Sequence, residues 1–307
     1  MGRFISTQPV VLNLPTLIDA LPTKGEMIKA ESILSYPGGG FIGMAAAAEL
    51  GVETCMLSVL GTGPNSYVAR REILSRNIKI LTDEVIGDIG LAISLVESDG
   101  HTTVIVSPGV EYEPDMEHYR QVELRAGDVV LAHGSCLANE PVAKAYLRWV
   151  SEIPAEVKVV VAPSPILNQV NPVYWQALLQ RADYLTMNNR EFNLLQQILA
   201  DFYEGATFAS LMRPESTVVV RRGDTGCEYW KHDGSASQWV DPFETQAVDT
   251  SGVGDTHVSV MCAVLAQGME LDYALKVANA AGACMVSHAH SFPPPSLDQM
   301  LYLLTGM

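Results

Sequence analysis

From Asp128 onward the chain alternates between short apolar, β-branched runs and longer segments with helical periodicity. Val129 to Ala132, Val157 to Ala162, Tyr184 to Met187 and Thr217 to Val220 read as strands. Pro141 to Val150, Pro172 to Gln180 and Glu191 to Ala200 lie between them and read as helices. Strands that are each followed by a helix pair in parallel, because a parallel neighbour is reached only through a crossover. A parallel sheet is covered on both faces, so the pattern predicts a layer of helices on each side of the sheet. The crossovers should be right-handed, and ligands should bind beyond the carboxyl ends of the strands. The 307 residues and 48% hydrophobic content suffice for one large core.

The first half is less regular. Pro9 to Leu14 reads as a first buried strand, Met27 to Leu34 as a short strand, and Thr54 to Leu60 as another. Alanine-rich Phe41 to Leu50 and the stretch Asn65 to Arg76 read as helices. Leu91 to Glu97 and Thr102 to Ser107 form a hairpin pattern joined by Ser98-Asp99-Gly100-His101, with Asp-Gly at the connection. This hairpin interrupts the alternation and predicts a small β element outside the main sheet. Gly226 to Val240 reads as a β segment turning at Gly234. Helices then follow from Asp255, from Asp272 to Val286 and from Leu297 to Leu304.

Ala247 to Ser259 carries the sharpest chemical signal. Gly252 and Gly254 flank Val253, Asp255 follows, and an apolar run begins at Val258. Glycines permit a tight turn with inward-facing N–H groups, and a helix N-terminus adds free donors and a positive dipole end. Such a place suits a phosphate, and an adjacent carboxylate can take a proton from a hydroxyl. Together these parts suit phosphoryl transfer. An acid in the first turn of a helix is also ordinary structure, so the stretch gains weight only from the rest of the chain. Pro37-Gly38-Gly39-Gly40 makes a second glycine-rich turn, open to a ligand or to another backbone. Both turns, with Asn188 and Glu191, follow predicted strands and so fall at one edge of the sheet.

Other readings are narrowed by charge and residue type. A net charge of −16 without a basic stripe argues against nucleic acid as a partner. No apolar run is long enough for a membrane span. The five cysteines are scattered with no Cys-x-x-Cys pair, as expected of reduced thiols in a cytoplasmic protein. His288 and His290 are two apart, a spacing that faces different ways on a helix and argues against a metal pair. His257 reads as a packed helix residue. His133, following a strand, is a candidate to line an acceptor pocket.

With these residues in order, the chain resembles the ribokinase (PfkB-type) family of carbohydrate kinases. Asp249-Thr250-Ser251-Gly252-Val253-Gly254-Asp255 is similar to the family's late signature, with valine at the usual alanine. Gly38-Gly39-Gly40 before an alanine-rich helix, Asn188-Asn189-Arg190-Glu191 after a strand, Gly223-Asp224-Thr225-Gly226 in a strand–turn–strand, and Asn279 on the penultimate helix follow in the family's order. The resemblance spans residues 10 to 300. It implies a ribokinase-like three-layer α/β/α sandwich, mostly parallel in its central sheet, as one domain over residues 1–307. Lid segments at about 19–36 and 89–110 would form a small β subdomain.

The resemblance further implies transfer of the γ-phosphoryl of ATP to a hydroxyl of a sugar or sugar-like molecule. Asp255 would be the base, and the N–H groups of Gly252, Val253 and Gly254 the anion hole. Glu191, with Asn188, would hold Mg²⁺ and phosphates through water. Arg221, Gly223, Gly226, Thr250 and Asn279 would line the nucleotide, and K⁺ would sit near Asp249. Asp19, Gly38, Gly39, Gly40, Gly43 and His133 are the acceptor-side candidates, and Asn13 competes with Asp19. The lid edges would pair into a homodimer. Three further positions depart from the family. Gly43 stands where an Asn usually bonds the sugar, which removes a polar partner and makes room for a bulkier acceptor. The early Asp is displaced, and Arg221 replaces a common Thr or Ser. A nucleoside or vitamin-type alcohol kinase and a non-catalytic ligand-binding relative remain as alternatives. A dinucleotide-dependent oxidoreductase is disfavoured, since no Gly-x-Gly-x-x-Gly follows the first strand.

Overall fold

The structure, a computed structural model, describes residues 1–99 and 101–306. Its main sheet grows from short, fully apolar strands. In β9 (Val129–His133), Val129 and Leu131 face one side while Val130 and Ala132 face the other, and all four are inaccessible to solvent. The two-residue period thus feeds two separate cores, one on each face. Around β9 lie β1 (Phe4–Ser6), β5 (Thr54–Met56), β6 (Lys79–Ile80), β10 (Lys158–Ala162), β11 (Tyr184–Asn188) and β12 (Thr217–Arg221). The nine-stranded order is β14-β13-β12-β11-β10-β9-β1-β5-β6, with β13 (Cys227–Lys231) and β14 (Gln238–Val240) completing one edge. Pairings from β6 through β12 are parallel, and β13 and β14 are antiparallel.

Helices cover both faces. One core contains α1 (Gly40–Ala48), α2 (Pro64–Ser75), α8 (Val253–Ala266), α9 (Leu271–Val286) and α10 (Leu297–Thr305). The other contains α3 (Met116–Gln121), α4 (Glu140–Glu152), α5 (Pro172–Leu179), α6 (Asn189–Phe202) and α7 (Phe208–Leu211), with Tyr119, Tyr146 and Trp149 in edge and tilted ring contacts. The expected three-layer α/β/α arrangement is therefore present.

A second sheet carries β3 (Ser32–Ile33), β2 (Val10–Ile18), β7 (Leu91–Glu97) and β8 (Thr102–Ser107) in that order, and β4 (Tyr36–Gly39) also pairs with β2. Two expectations are corrected here. Pro9 to Leu14, read as the first buried strand, is preceded by a shorter one: Phe4–Ser6 enters the main sheet, and β2 belongs to the second. Pro37 to Gly39 is strand rather than open turn. The hairpin strands 91–97 and 102–107 agree with the sequence pattern, while Gly100 of their connection lies outside the described residues. The second sheet also begins at Val10 rather than near residue 19.

Candidate active site

The late glycine turn sets the geometry. Gly252 adopts φ 73° and ψ −4°, and a Cβ there would stand 2.7 Å from Ser291 Cβ, so a glycine fits both the left-handed turn and the space. The chain reverses at this residue and α8 starts. The Val253 N–H donates to Thr250 O at 3.4 Å and the Thr256 N–H to Gly252 O at 2.9 Å. The N–H groups of Gly254 and Asp255 have no acceptor among the described residues. They carry the positive end of the helix dipole. At Gly254 an added Cβ would meet only Arg221 Nη2, at 3.6 Å. Two free amides and a guanidinium thus lie together, an arrangement that holds an anion. Of the expected trio of donors, Val253 is engaged with Thr250, whereas the N–H groups of Gly252 and Gly254 have no acceptor among the described residues, and Asp255 adds a further free N–H.

Asp255, half-buried, points its Oδ1 at Gln8 Nε2, which donates to it at 2.9 Å. Burial raises the Asp255 pKa above the usual carboxylate value, and the Glu191 charge adds to that rise. The Gln8 hydrogen bond and the Arg221 charge oppose it. A carboxylate with a raised pKa is a stronger base for a hydroxyl proton.

The neighbouring strand ends supply the rest. Asn188, the last residue of β11, caps α6: its side chain accepts from the Glu191 N–H at 2.8 Å, and its own N–H donates to Glu191 Oε2 at 2.9 Å. Arg221, the last residue of β12, donates from Nη1 to Thr186 Oγ1 at 3.0 Å and from Nη2 to Glu191 Oε2 at 3.4 Å. Burial lowers the Arg221 pKa and the carboxylates of Glu191 and Asp255 work against that, so the guanidinium stays charged at any working pH. No group of three His, Cys, Asp or Glu side chains able to hold a metal occurs among the described residues. A single buried Glu191 fits Mg²⁺ held largely by water and phosphate oxygens, not an all-protein cage.

Several other candidates serve the protein itself. Asn279 donates from Nδ2 to Val240 O and Asp241 O, and its Oδ1 meets His257 Nε2 at 3.1 Å, so its whole amide ties α8, α9 and β14 together. His257 is buried, and burial drives its pKa down to about 3, in keeping with its reading as a packed residue. At Gly226, with φ 91°, an added Cβ would run into Val240 O and stand 2.9 Å from Pro242 N, whereas Gly223, at φ 66°, has open space where a Cβ would stand. Thr250 is exposed in the loop before α8. Asp249 was expected beside a monovalent cation. Its two carboxylate oxygens accept from the Ser251 N–H at 2.8 Å and the His290 N–H at 3.0 Å, stapling two loops, so a cation there would rest on neighbouring main-chain carbonyls.

The acceptor-side expectations need the largest correction. Gly38 underlies the Asn13 side chain, Gly39 (φ 58°) underlies Pro9 O, and Gly40 would place a Cβ 2.5 Å from Gln8 O. Gly43 packs on the main-chain oxygen of Asp255 and on Ser259, with a Cβ position 2.9 Å from Ser259 Cβ. On their Cβ sides these four glycines face the protein's own atoms, so the missing side chain at Gly43 opens no space for a bulkier acceptor on that side. Asp19 follows the outer end of β2, exposed, with its carbonyl accepting from Ser98. Asn13, half-buried on the same strand, is the polar residue beside the glycine turn. His133 ends β9 at the shared edge, but it is buried, bonded through Nδ1 to Ser135 Oγ at 2.6 Å, and lowered to about 4 by burial and the Arg221 charge. It is neutral. Gln8 and Thr186 escaped sequence reasoning. The only signal for Gln8 was a polar side chain just past the carboxyl end of a strand, and that three-residue strand is too short to register as a pattern. A cavity of about 310 Å³ between Lys158, Tyr184, Thr217 and Lys231 lies at the opposite, amino edge of the sheet and holds none of these residues.

A doubly covered parallel sheet with an anion-binding helix start and a carboxylate at its carboxyl edge defines the class: an α/β protein of the ribokinase fold. A ribokinase from Thermotoga maritima superimposes with a TM-score of 0.81 at 20% identity, covering 99% of each chain. An Arabidopsis thaliana ribokinase solved with ribose and ATP gives 0.75 at 22%, again over 99% of each. The chain belongs to the pfkB family of carbohydrate kinases, whose sequence pattern matches residues 12–295. It is similar to an ATP-dependent ribose-1-phosphate kinase from Halopiger xanaduensis, 28% identical over 99% of both chains. It is also similar to an uncharacterised sugar kinase from Escherichia coli K12, 26% identical over 92% of this chain and 88% of that one. The chain is therefore a sugar kinase that uses ATP.

Proposed function

We propose that this kinase transfers the γ-phosphoryl of ATP to a sugar hydroxyl held against Asp255. The observation that carries the reading is the pair of unpartnered N–H groups at Gly254 and Asp255, beside the Asp255 carboxylate and the Arg221 guanidinium. Asp255 takes the proton of the attacking hydroxyl. The hydroxyl oxygen bonds to the γ-phosphorus as the bond from that phosphorus to the β–γ bridging oxygen breaks, and ADP leaves with the bonding pair. The free amides and Arg221 offset the negative charge on the equatorial oxygens. Mg²⁺, when bound through water at Glu191, would supply further charge neutralisation to the phosphates.

The nucleotide lies along Arg221 to Gly226 and Thr250 in this reading, with Asn279 acting as a strut behind it. Asn13, beside the early glycine turn, faces the sugar in place of Asp19. The second sheet is the lid over the acceptor. Val104, Ile105 and Val106 are exposed on β8, which supports a homodimer formed through lid edges. A K⁺ ion near Asp249 would be held by main-chain carbonyls, since both carboxylate oxygens are engaged. The five free, buried cysteines suit a cytoplasmic setting.

ADP release measured against a panel of sugars, sugar phosphates and nucleosides tests this reading. The panel includes phosphorylated sugars because the Halopiger relative is named for one. Turnover with at least one sugar-class acceptor is expected, together with Mg²⁺-dependent ATP binding by calorimetry. Absence of ATP binding with Mg²⁺ present would contradict it.

A further inference from the structure

Asp255 is gripped by a side chain from the other end of the chain. Gln8 sits in the link between β1 and β2, 6% exposed, with its main chain and Cβ wedged against Gly40 at the start of α1. Its Nε2 donates to Asp255 Oδ1 at 2.9 Å. Its other amide atom, Oε1, is buried with no partner among the described residues. Here only the end that touches the carboxylate is used, so the amide's orientation is set by Asp255.

We infer that Gln8 is a positioning residue for the proposed base: it holds Asp255 Oδ1 and leaves Oδ2 directed at the acceptor hydroxyl. The inference rests on the assignment of Asp255 as base. It explains why α1, β2 and α8 meet so closely. Gly40 admits Gln8, Gly43 admits the main chain of Asp255, and the two contacts fix the distance between amide and carboxylate. The other charges bearing on Asp255 are Arg221 from β12 and Glu191 from α6. His133 at the end of β9 is neutral, His257 on α8 itself is neutral and tied to Asn279, and α1 contributes no titratable side chain. Removal of Gln8 thus changes the environment of the carboxylate without altering the charge of the site. Donation from Gln8 favours the ionised form of Asp255, so its loss raises the pKa and moves the acid limb of the activity profile to higher pH.

The test is a pH profile of kcat/KM for Gln8→Met, which keeps length and packing while removing the donor. The acid limb should move up by about 0.5 to 1 pH unit, with KM for MgATP unchanged. Gln8→Met placed on Asp255→Asn should lower the residual turnover no further, because both changes act through one group. An unmoved acid limb in folded Gln8→Met, or effects that multiply in the double variant, would overturn the inference. Should Gln8→Met lose its cooperative melt, Gln8→Glu is read in its place. A second carboxylate against Asp255 should shift the limb further in the same direction, and an unshifted limb refutes the role. Full turnover in Asp255→Asn alone would instead refute the base assignment. A crippled Asp255→Asn with an unmoved Gln8→Met limb would refute only the part given to Gln8.

Discussion

At Gly40 an added Cβ would lie 2.5 Å from the main-chain oxygen of Gln8, whereas at Gly254 its nearest neighbour would be Arg221 Nη2, 3.6 Å away. The two glycine-rich turns read alike in sequence, each following a strand and each opening a helix. The early one is filled by the protein's own atoms: Asn13 over Gly38, Pro9 over Gly39, Gln8 over Gly40. The late one is open, with free N–H groups and a cation beside it. A missing side chain permits close approach, and nothing in the residue itself says whether chain or ligand approaches. The difference divides the labour of the site. The early turn draws α1, β2 and α8 together and so places Asp255, while in the proposed reaction the late turn would receive the phosphoryl group.

The contrast can be broken or sharpened by substitution. The largest effect is expected at the carboxylate: Asp255→Asn should lower kcat by about 10²- to 10⁴-fold while MgATP still binds. The same variant should melt at a higher temperature. Burial raises the Asp255 pKa in the folded state, so the ionised carboxylate destabilises the fold at neutral pH. The gain should shrink as pH falls through the raised pKa, where the wild-type acid becomes protonated, and thermal melts across pH check the sign. Next, Gly254→Ala should fold with unaltered or slightly raised stability, since alanine suits a helix and the site is open. Its methyl group should impede phosphoryl approach and lower turnover by about 10²-fold. Gly43→Ala should do the reverse. Its Cβ would meet Ser259 and the Asp255 main chain, so α1 and α8 must part, at a loss of about 1–3 kcal/mol read from denaturant unfolding. The smallest effect is expected at Gly223→Ala, where nothing lies within 4 Å and only the φ of 66° resists, a loss of about 1 kcal/mol with little change in KM for MgATP. If Gly254→Ala proved as unstable as Gly43→Ala, the late turn would be packed after all.

Much of the fold was legible because the information is local. The β9-to-β12 alternation, the 91–97 and 102–107 hairpin strands, and helices α2, α5 and α9 follow from periodicity and from Pro and Gly punctuation within a dozen residues. Asn188 and Glu191 were noticed from their place after a strand and from the resemblance; the structure adds that they form a capping box at the start of α6. What stayed hidden depends on distant contacts. Phe4–Ser6 is too short to carry a pattern, yet it lies between β5 and β9 in the sheet. Asp19 and Asn13 lie on one strand and its end, and only the pairing of Asn13 with Tyr36 shows which of them faces the glycine turn. The Gln8–Asp255 contact joins residues 247 apart. Arg221 was noticed as a departure from the usual Thr or Ser, but its place beside Gly254 required the strand register of β11 and β12.

The central claim is that the first turn of α8 cradles the migrating phosphoryl group with Asp255 alongside. A crystal structure with ADP, Mg²⁺ and a metal-fluoride mimic of that group tests it most directly. Fluorines should lie about 3 Å from the nitrogens of Gly254 and Asp255, with the Asp255 carboxylate on the face away from ADP. A mimic bound elsewhere, with those two N–H groups turned to solvent or to protein, would contradict the account.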